Sequence, residues 1–185
     1  QRVSFTKQKP GTLDAPLTRV DVPMMAMGEL VLMIENDLVD GGAMMRVFDA
    51  RNCEVDLPEL AAMRLDGHVR DAPVLRGNEL YVACEGEQYN VFTVSDDLEK
   101  EPLTAITRPP SDSDYTGPIQ MLPGPGGRFW TAGRELRKFH LEQDSLPEDD
   151  SIEIGAIAQP IQKIGPSLYV GRLQLGSNAT VMIQY

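Results

Sequence analysis

The stretch Ala72-Pro73-Val74-Leu75-Arg76-Gly77-Asn78-Glu79-Leu80-Tyr81-Val82-Ala83-Cys84 reads as a short strand, a Gly-Asn turn and a second strand richer in apolar residues. Its outline returns three times: at Val22-Pro23-Met24-Met25-Ala26-Met27-Gly28-Glu29-Leu30-Val31, at Gly117-Pro118-Ile119-Gln120-Met121-Leu122 running to Phe129-Trp130, and at Gln159-Pro160-Ile161-Gln162-Lys163-Ile164-Gly165 running to Leu168-Tyr169-Val170. The prolines stand at 23, 73, 118 and 160, steps of 50, 45 and 42 residues. A recurring period in this range marks a repeat architecture.

Around each outline the chain supplies further short strands. In the repeat from Val22 to Asp71, strands are expected near 23–27, 29–34 and 44–49, with Asp40-Gly41-Gly42 turning between the last two. The segment Leu57 to Leu65 could open a helical turn at Pro58, but the repeat requires a strand there. The next repeat places strands near 73–76, 79–84, 89–94 and 102–107, with turns at Glu85-Gly86-Glu87 and Asp96-Asp97. In the third, Pro123-Gly124-Pro125-Gly126-Gly127 forms the first turn, strands cover Arg128–Ala132 and Leu136–Leu141, and an acidic loop, Asp144 to Asp150, precedes Ile152–Ile157. The fourth supplies Pro160–Ile164, Leu168–Leu175 and Ala179–Gln184. Before the first repeat, residues 2–6 and 16–20 read as the third and fourth strands of a preceding, incomplete unit.

Four short strands per repeat of about 40 to 50 residues predict an all-β fold, a β-propeller of four-stranded antiparallel blades. The run Leu80–Cys84 is apolar on both faces, as a strand between two neighbouring blades must be. The expected division is a partial blade at 1–21, blades at 22–71, 72–116 and 117–159, and a partial blade at 160–185, forming part of a seven- or eight-bladed ring. If Pro16–Val20 instead pairs beside Ala179–Gln184, the ends share a blade and the chain closes with four blades; the favoured expectation is an open arc that self-associates.

Composition narrows the function. The 185 residues carry a formal charge of −11, with 28 acids against 17 bases, which argues against nucleic acid as a partner. No apolar run reaches the roughly 20 residues of a membrane-spanning helix. Cys53 and Cys84, too few for a disulfide scaffold, are expected to remain unbridged.

The pattern Pro-apolar-x-x-Gly-x-x-Leu-Tyr-Val, followed by a strand such as Arg46-Val47-Phe48-Asp49-Ala50-Arg51-Asn52-Cys53, resembles the repeat of pyrroloquinoline-quinone-type propellers. The likeness spans roughly residues 22–185. It implies either a quinone-dependent dehydrogenase or electron-transfer propeller, or a cofactor-free scaffold of the kind that assists outer-membrane protein assembly, and with either an extracytoplasmic location. Asn52-Cys53 stands where the family has Thr-Gly, and the tryptophan closing each blade is missing, so no cofactor is expected.

Catalytic constellations are not found. His68 and His140 have no metal-ligand spacing, Gly165-Pro166-Ser167 lacks the second glycine of a nucleophile elbow, and Gly124–Gly127 is followed by no Gly-Lys-Ser/Thr. Asp112-Ser113-Asp114 alternates oxygens without the glycine and glutamate of a calcium loop, so any metal is left open. A sugar-acting enzyme would need two facing carboxylates. The expected site is therefore a binding face made by the loops between second and third strands and the loops joining blades. It holds Glu35, Asp37, Asp40, Asp66, Asp71, Glu85, Glu87, Asp112 and Asp114, with Arg70, Arg134 and Arg172. That is an acidic face, and the leading reading is a non-enzymatic scaffold that binds a protein partner or assembles with itself.

Overall fold

The computed structural model describes residues 17–51, 57–95, 103–109, 111, 115–153, 161–165, 167–174 and 177–184, with backbone alone from 171 onward. They form four sheets in sequence order. The first contains β1 (Thr18–Arg19), β2 (Met25–Met27), β3 (Leu30–Asp37), β4 (Gly42–Asp49) and β5 (Glu59–Leu65). The second contains β6 (Val74–Arg76), β7 (Glu79–Cys84), β8 (Gln88–Thr93) and β9 (Thr104–Arg108). The third contains β10 (Gln120–Pro123), β11 (Arg128–Ala132), β12 (Glu135–His140) and β13 (Glu148–Glu153), and the fourth β14 (Gln162–Ile164), β15 (Ser167–Gln174) and β16 (Ser177–Gln184). All pairings are antiparallel, and apart from that of β1 with β3 they join neighbours in order, as in a meander. Arg76 pairs with Glu79, which leaves a two-residue turn whose Gly77 has φ +61°, a conformation that costs glycine nothing.

Strand alternation decides which sheets touch. Along β7, Leu80, Val82 and Cys84 enter a core shared with the first sheet, while Tyr81 and Ala83 enter one shared with the third. All five are buried, so the second sheet is covered on both faces, as its unbroken apolar run predicts. The seam between second and third sheets is aromatic: Phe129 stacks on Phe139 at 5.3 Å and 21°, Tyr81 meets Phe129 edge-on at 5.4 Å, and Tyr89 lies 5.1 Å from Phe139. Trp130, Ala132 and Leu136 point to the other side of the third sheet and pack with Leu168 and Val170 of the fourth.

Three features of the strands differ from, or resolve, the sequence reading. Leu57–Leu65 does yield a strand: Ala61, Met63 and Leu65 pair with Val47, Met45 and Ala43 along β4, and this pairing outweighs the local helix preference of Leu-Ala-Ala-Met. Pro16–Val20, expected as the fourth strand of a preceding unit, instead places Thr18 and Arg19 opposite Asp37 and Asn36 of β3. β1 and β2 thus both lie along β3, and residues 18–27 belong to the first sheet. The acidic loop is shorter than expected, because β13 begins at Glu148 with Asp150 opposite Lys138. Opposite charges across the ladder make the acidic segment compatible with a strand. The expected strand at 2–6, the turn at Asp96-Asp97, and Asn52-Cys53 lie outside the described residues.

Candidate partner-binding face

One end of the stack gathers the β3–β4 turn, the linker between β5 and β6, the β7–β8 turn and the linker between β9 and β10. Backbone bonds lace them together: Glu85 N–H donates to His68 O at 2.8 Å, Gly86 N–H to Tyr115 O at 3.2 Å and Ser111 N–H to Gly86 O at 2.9 Å. Asn36, at the end of β3 and 1% exposed, pairs reciprocally with Val69 of the first linker, accepting from its N–H at 2.8 Å and donating to its carbonyl at 2.9 Å. Gln120 of β10 holds Ile161 of a later linker in the same two-bonded way.

Charges at this end fall into two networks. In the first, Arg70 donates to Glu85 at 2.7 Å and approaches Asp21 at 3.3 Å, while Asp21 also takes bonds from Arg19 at 2.9 Å and Asn36 at 2.7 Å. The Arg19 guanidinium holds the Asp21 carboxyl below its ordinary value. His68 touches Asp37, Arg70 and Glu85 together. In the second, Glu87 is 3% exposed and sits at φ +58°, a left-handed conformation that is costly for a side-chain-bearing residue. Ser111 donates to it at 3.0 Å and Arg137 pairs with it at 3.2 Å. Arg137 also meets Glu135, and Glu148 receives Arg108, whose guanidinium lies 4.7 Å over the Phe139 ring. Burial pushes the neighbouring Tyr89 hydroxyl up to about 12.

Among the described residues, most carboxylates at this end are braced by partners. Asp37 accepts from the amides of Val39 and Asp40 in its own turn, and those bonds lower its pKa. Asp66 takes a bond from Gln88 at 3.1 Å, and Asp71 caps the Ala72 amide at 2.8 Å. Asp40 and Arg134 are exposed in turns. Glu35 does not belong to the loops: it lies within β3, bonded at 2.7 Å to Arg46, which also holds Glu59. Arg172 occupies β15 opposite Ala179, and its side chain, like Asp112 and Asp114, lies outside what is described. Among the described residues, no group of three or more His, Cys, Asp and Glu could hold a metal.

The reading of charges missed an apolar corner. Leu17, Val20, Leu38 and Val39 are four of the seven most exposed large apolar side chains among the described residues. Leu38 N–H bonds Leu17 O at 2.8 Å, which sets these two residues side by side, and Val39, next in the turn, is 70% exposed. The signal was present as a Leu-Val pair inside a polar turn, Asp37-Leu38-Val39-Asp40. At the opposite end, the turns of the first two sheets leave a cleft of about 500 Å³ lined, among the described residues, by Met27, Leu30, Leu75, Asn78, Thr93 and Val94 and by no charged side chain.

No model of a known protein family matches the chain, and no curated protein matches it. Solved structures do. BamB from Moraxella catarrhalis superposes with TM-score 0.57 at 11% identity, over 91% of this chain and 44% of BamB. Sqt1 from Saccharomyces cerevisiae gives 0.62 at 10% identity over 89% and 45%, and the computationally designed Ika4 protein gives 0.57 at 11% over 95% and 98%. The chain thus spans less than half the length of BamB and Sqt1. At such low identity these likenesses carry the fold alone, and the fold they carry is the β-propeller.

Proposed function

We propose that this protein is a non-enzymatic β-propeller module that binds a protein partner through the braced end of its first two sheets. The observation that supports it is the exposed corner Leu17–Leu38–Val39, carried on a turn held by two amide bonds to Asp37 and by the Leu38–Leu17 backbone bond. Apolar side chains exposed together mark contact surfaces, and a turn fixed in advance loses little entropy on docking. The resemblance to quinone-type repeats supports a cofactor-free scaffold of that lineage, acting outside the cytoplasm, with blades divided near residues 72, 117 and 160 and the stack forming an arc of a larger ring.

The test is a photo-crosslinking residue placed at Val39 and, as a control, at the exposed Leu57. One discrete protein is expected from position 39 and none from 57. Burying two such side chains is worth about 1.5–3 kcal/mol each, so Leu38→Ser with Val39→Ser should weaken capture at least tenfold in a protein that remains folded. Equal capture by the double variant refutes the reading.

A further inference from the structure

His68 stands at the seam between the first two sheets with three partners from three different segments. Its Nε2 lies 2.7 Å from the carbonyl oxygen of Asp37 at the end of β3, and a carbonyl only accepts, so Nε2 carries a hydrogen. Its Nδ1 lies 3.3 Å from Nη2 of Arg70 and 3.2 Å from Oε2 of Glu85. Those two neighbours make opposite demands. A guanidinium can only donate, and so needs a bare Nδ1; a carboxylate can only accept, and so needs Nδ1–H. One nitrogen cannot satisfy both at once.

We propose that His68 is a proton-operated switch whose Nδ1 exchanges Arg70 for Glu85 on taking a proton from solvent, and that the exchange tightens the turn presenting Leu38 and Val39. The proposal rests on the partner-binding reading for its consequence but not for its chemistry. In the neutral ring, Nε2–H donates to Asp37 O and Nδ1 accepts from Arg70. In the charged ring, Nδ1–H donates to Glu85, Nε2–H becomes a charge-assisted donor to Asp37 O, and Arg70 is repelled from the imidazolium. Arg70 keeps partners in that state, because its Nε bonds Glu85 Oε1 at 2.7 Å and its Nη1 faces Asp21 at 3.3 Å.

Every charged group facing the ring bears on the balance. Asp37 from β3, Glu85 from the β7–β8 turn, and Asp21 through Arg70 favour the proton. Arg70 opposes it directly, and Arg64 of β5, 4.0 Å from Asp37, opposes it at longer range. The mechanical consequence follows from connectivity: Asp37 is the residue whose carbonyl receives His68, whose carboxylate receives the Val39 and Asp40 amides, and whose successor Leu38 bonds Leu17.

Long-range ¹H–¹⁵N correlation of histidine side chains, recorded on the whole chain between about pH 5 and 8, the range in which imidazoles change charge, reads the switch directly. At the upper end His68 is expected as the Nε2–H tautomer, gaining Nδ1–H through a single transition on acidification. Amide protection of Leu38, corrected for the intrinsic pH dependence of exchange, should rise several-fold through the same transition. His68→Gln retains a donor toward Asp37 O and cannot take the proton, so in that variant the protection should be flat across the range. An Nδ1–H tautomer at pH 8, or an unchanged protection transition in His68→Gln, overturns the proposal. Neither measurement involves a partner, so failure of the crosslinking experiment leaves this result standing, and the reverse holds as well.

Discussion

Replacing Asn36 by alanine tests the device that fixes the linker between the first two sheets. Val69 is fully buried, and both its N–H and its carbonyl are bonded to the Asn36 side chain, as one strand residue would bond another. Asn36→Ala strands both groups away from water, and each unsatisfied buried polar group costs about 1–3 kcal/mol. The expected loss is therefore about 2–6 kcal/mol. With a urea dependence of about 2 kcal/mol per M for a small protein, the unfolding midpoint should fall by about 1–3 M at unchanged slope. Asn36→Asp sharpens the test, because it keeps an acceptor for Val69 N–H but loses the donor to Val69 O and to Asp21, which takes the amide at 2.7 Å in the wild type. At pH 7 it sets a carboxylate against Asp21 and the Val69 carbonyl, so it should be at least as damaging as alanine. Urea unfolding followed by tryptophan fluorescence measures both. A change below about 0.5 kcal/mol for Asn36→Ala, or an aspartate milder than alanine, would refute the claim that this amide holds the linker.

Gln120→Ala removes the matching pair of bonds to Ile161, but Gln120 is half-buried and water can replace part of what is lost, so a smaller fall of about 1–2 kcal/mol is expected by the same measurement. Phe139→Ala opens a cavity against Phe129 and Tyr89 and should cost about 3–5 kcal/mol; a loss under 1 kcal/mol by calorimetry would contradict the aromatic seam. Burial pushes the free Cys84 thiol up to about 12, so an alkylating reagent at pH 8 should leave it unmodified in the folded protein and label it in urea, with equal labelling rates sinking the prediction. His140 bonds Glu142 and Asp149 through its two ring nitrogens, and those bonds raise its pKa above 6.5. A raised folded value means stabilisation that is complete below pH 6.5 and lost as pH rises through the folded value. The difference in melting temperature between wild type and His140→Asn should accordingly shrink from pH 6 to pH 9, and a constant difference would show that the ring charge is not involved.

What could be read from the residues alone was set by local pattern. Strand and turn depend on nearest neighbours, so the proline period, the Gly77-Asn78 turn and the apolar run at 80–84 placed the sheets and indicated that the second would be covered on both faces. Even the helix-prone Leu60-Ala61-Ala62-Met63 was legible as a strand once the repeat demanded one. The site was legible only in part. Asp66, Glu85 and Glu87 were picked out by their loops, but their partners come from elsewhere: Gln88 reaches Asp66 across 22 positions of sequence and Ser111 reaches Glu87 across 24. Such pairs form because stacked, twisted sheets bring distant turns to one end, and sequence spacing carries no record of that rotation. The same holds for β1, whose side of β3 is settled by how the chain enters the first sheet, and for Leu38 and Val39, whose exposure depends on what the neighbouring turns leave uncovered. Local sequence chose the strands, and packing between sheets decided which charges were neutralised and which apolar side chains were left facing solvent.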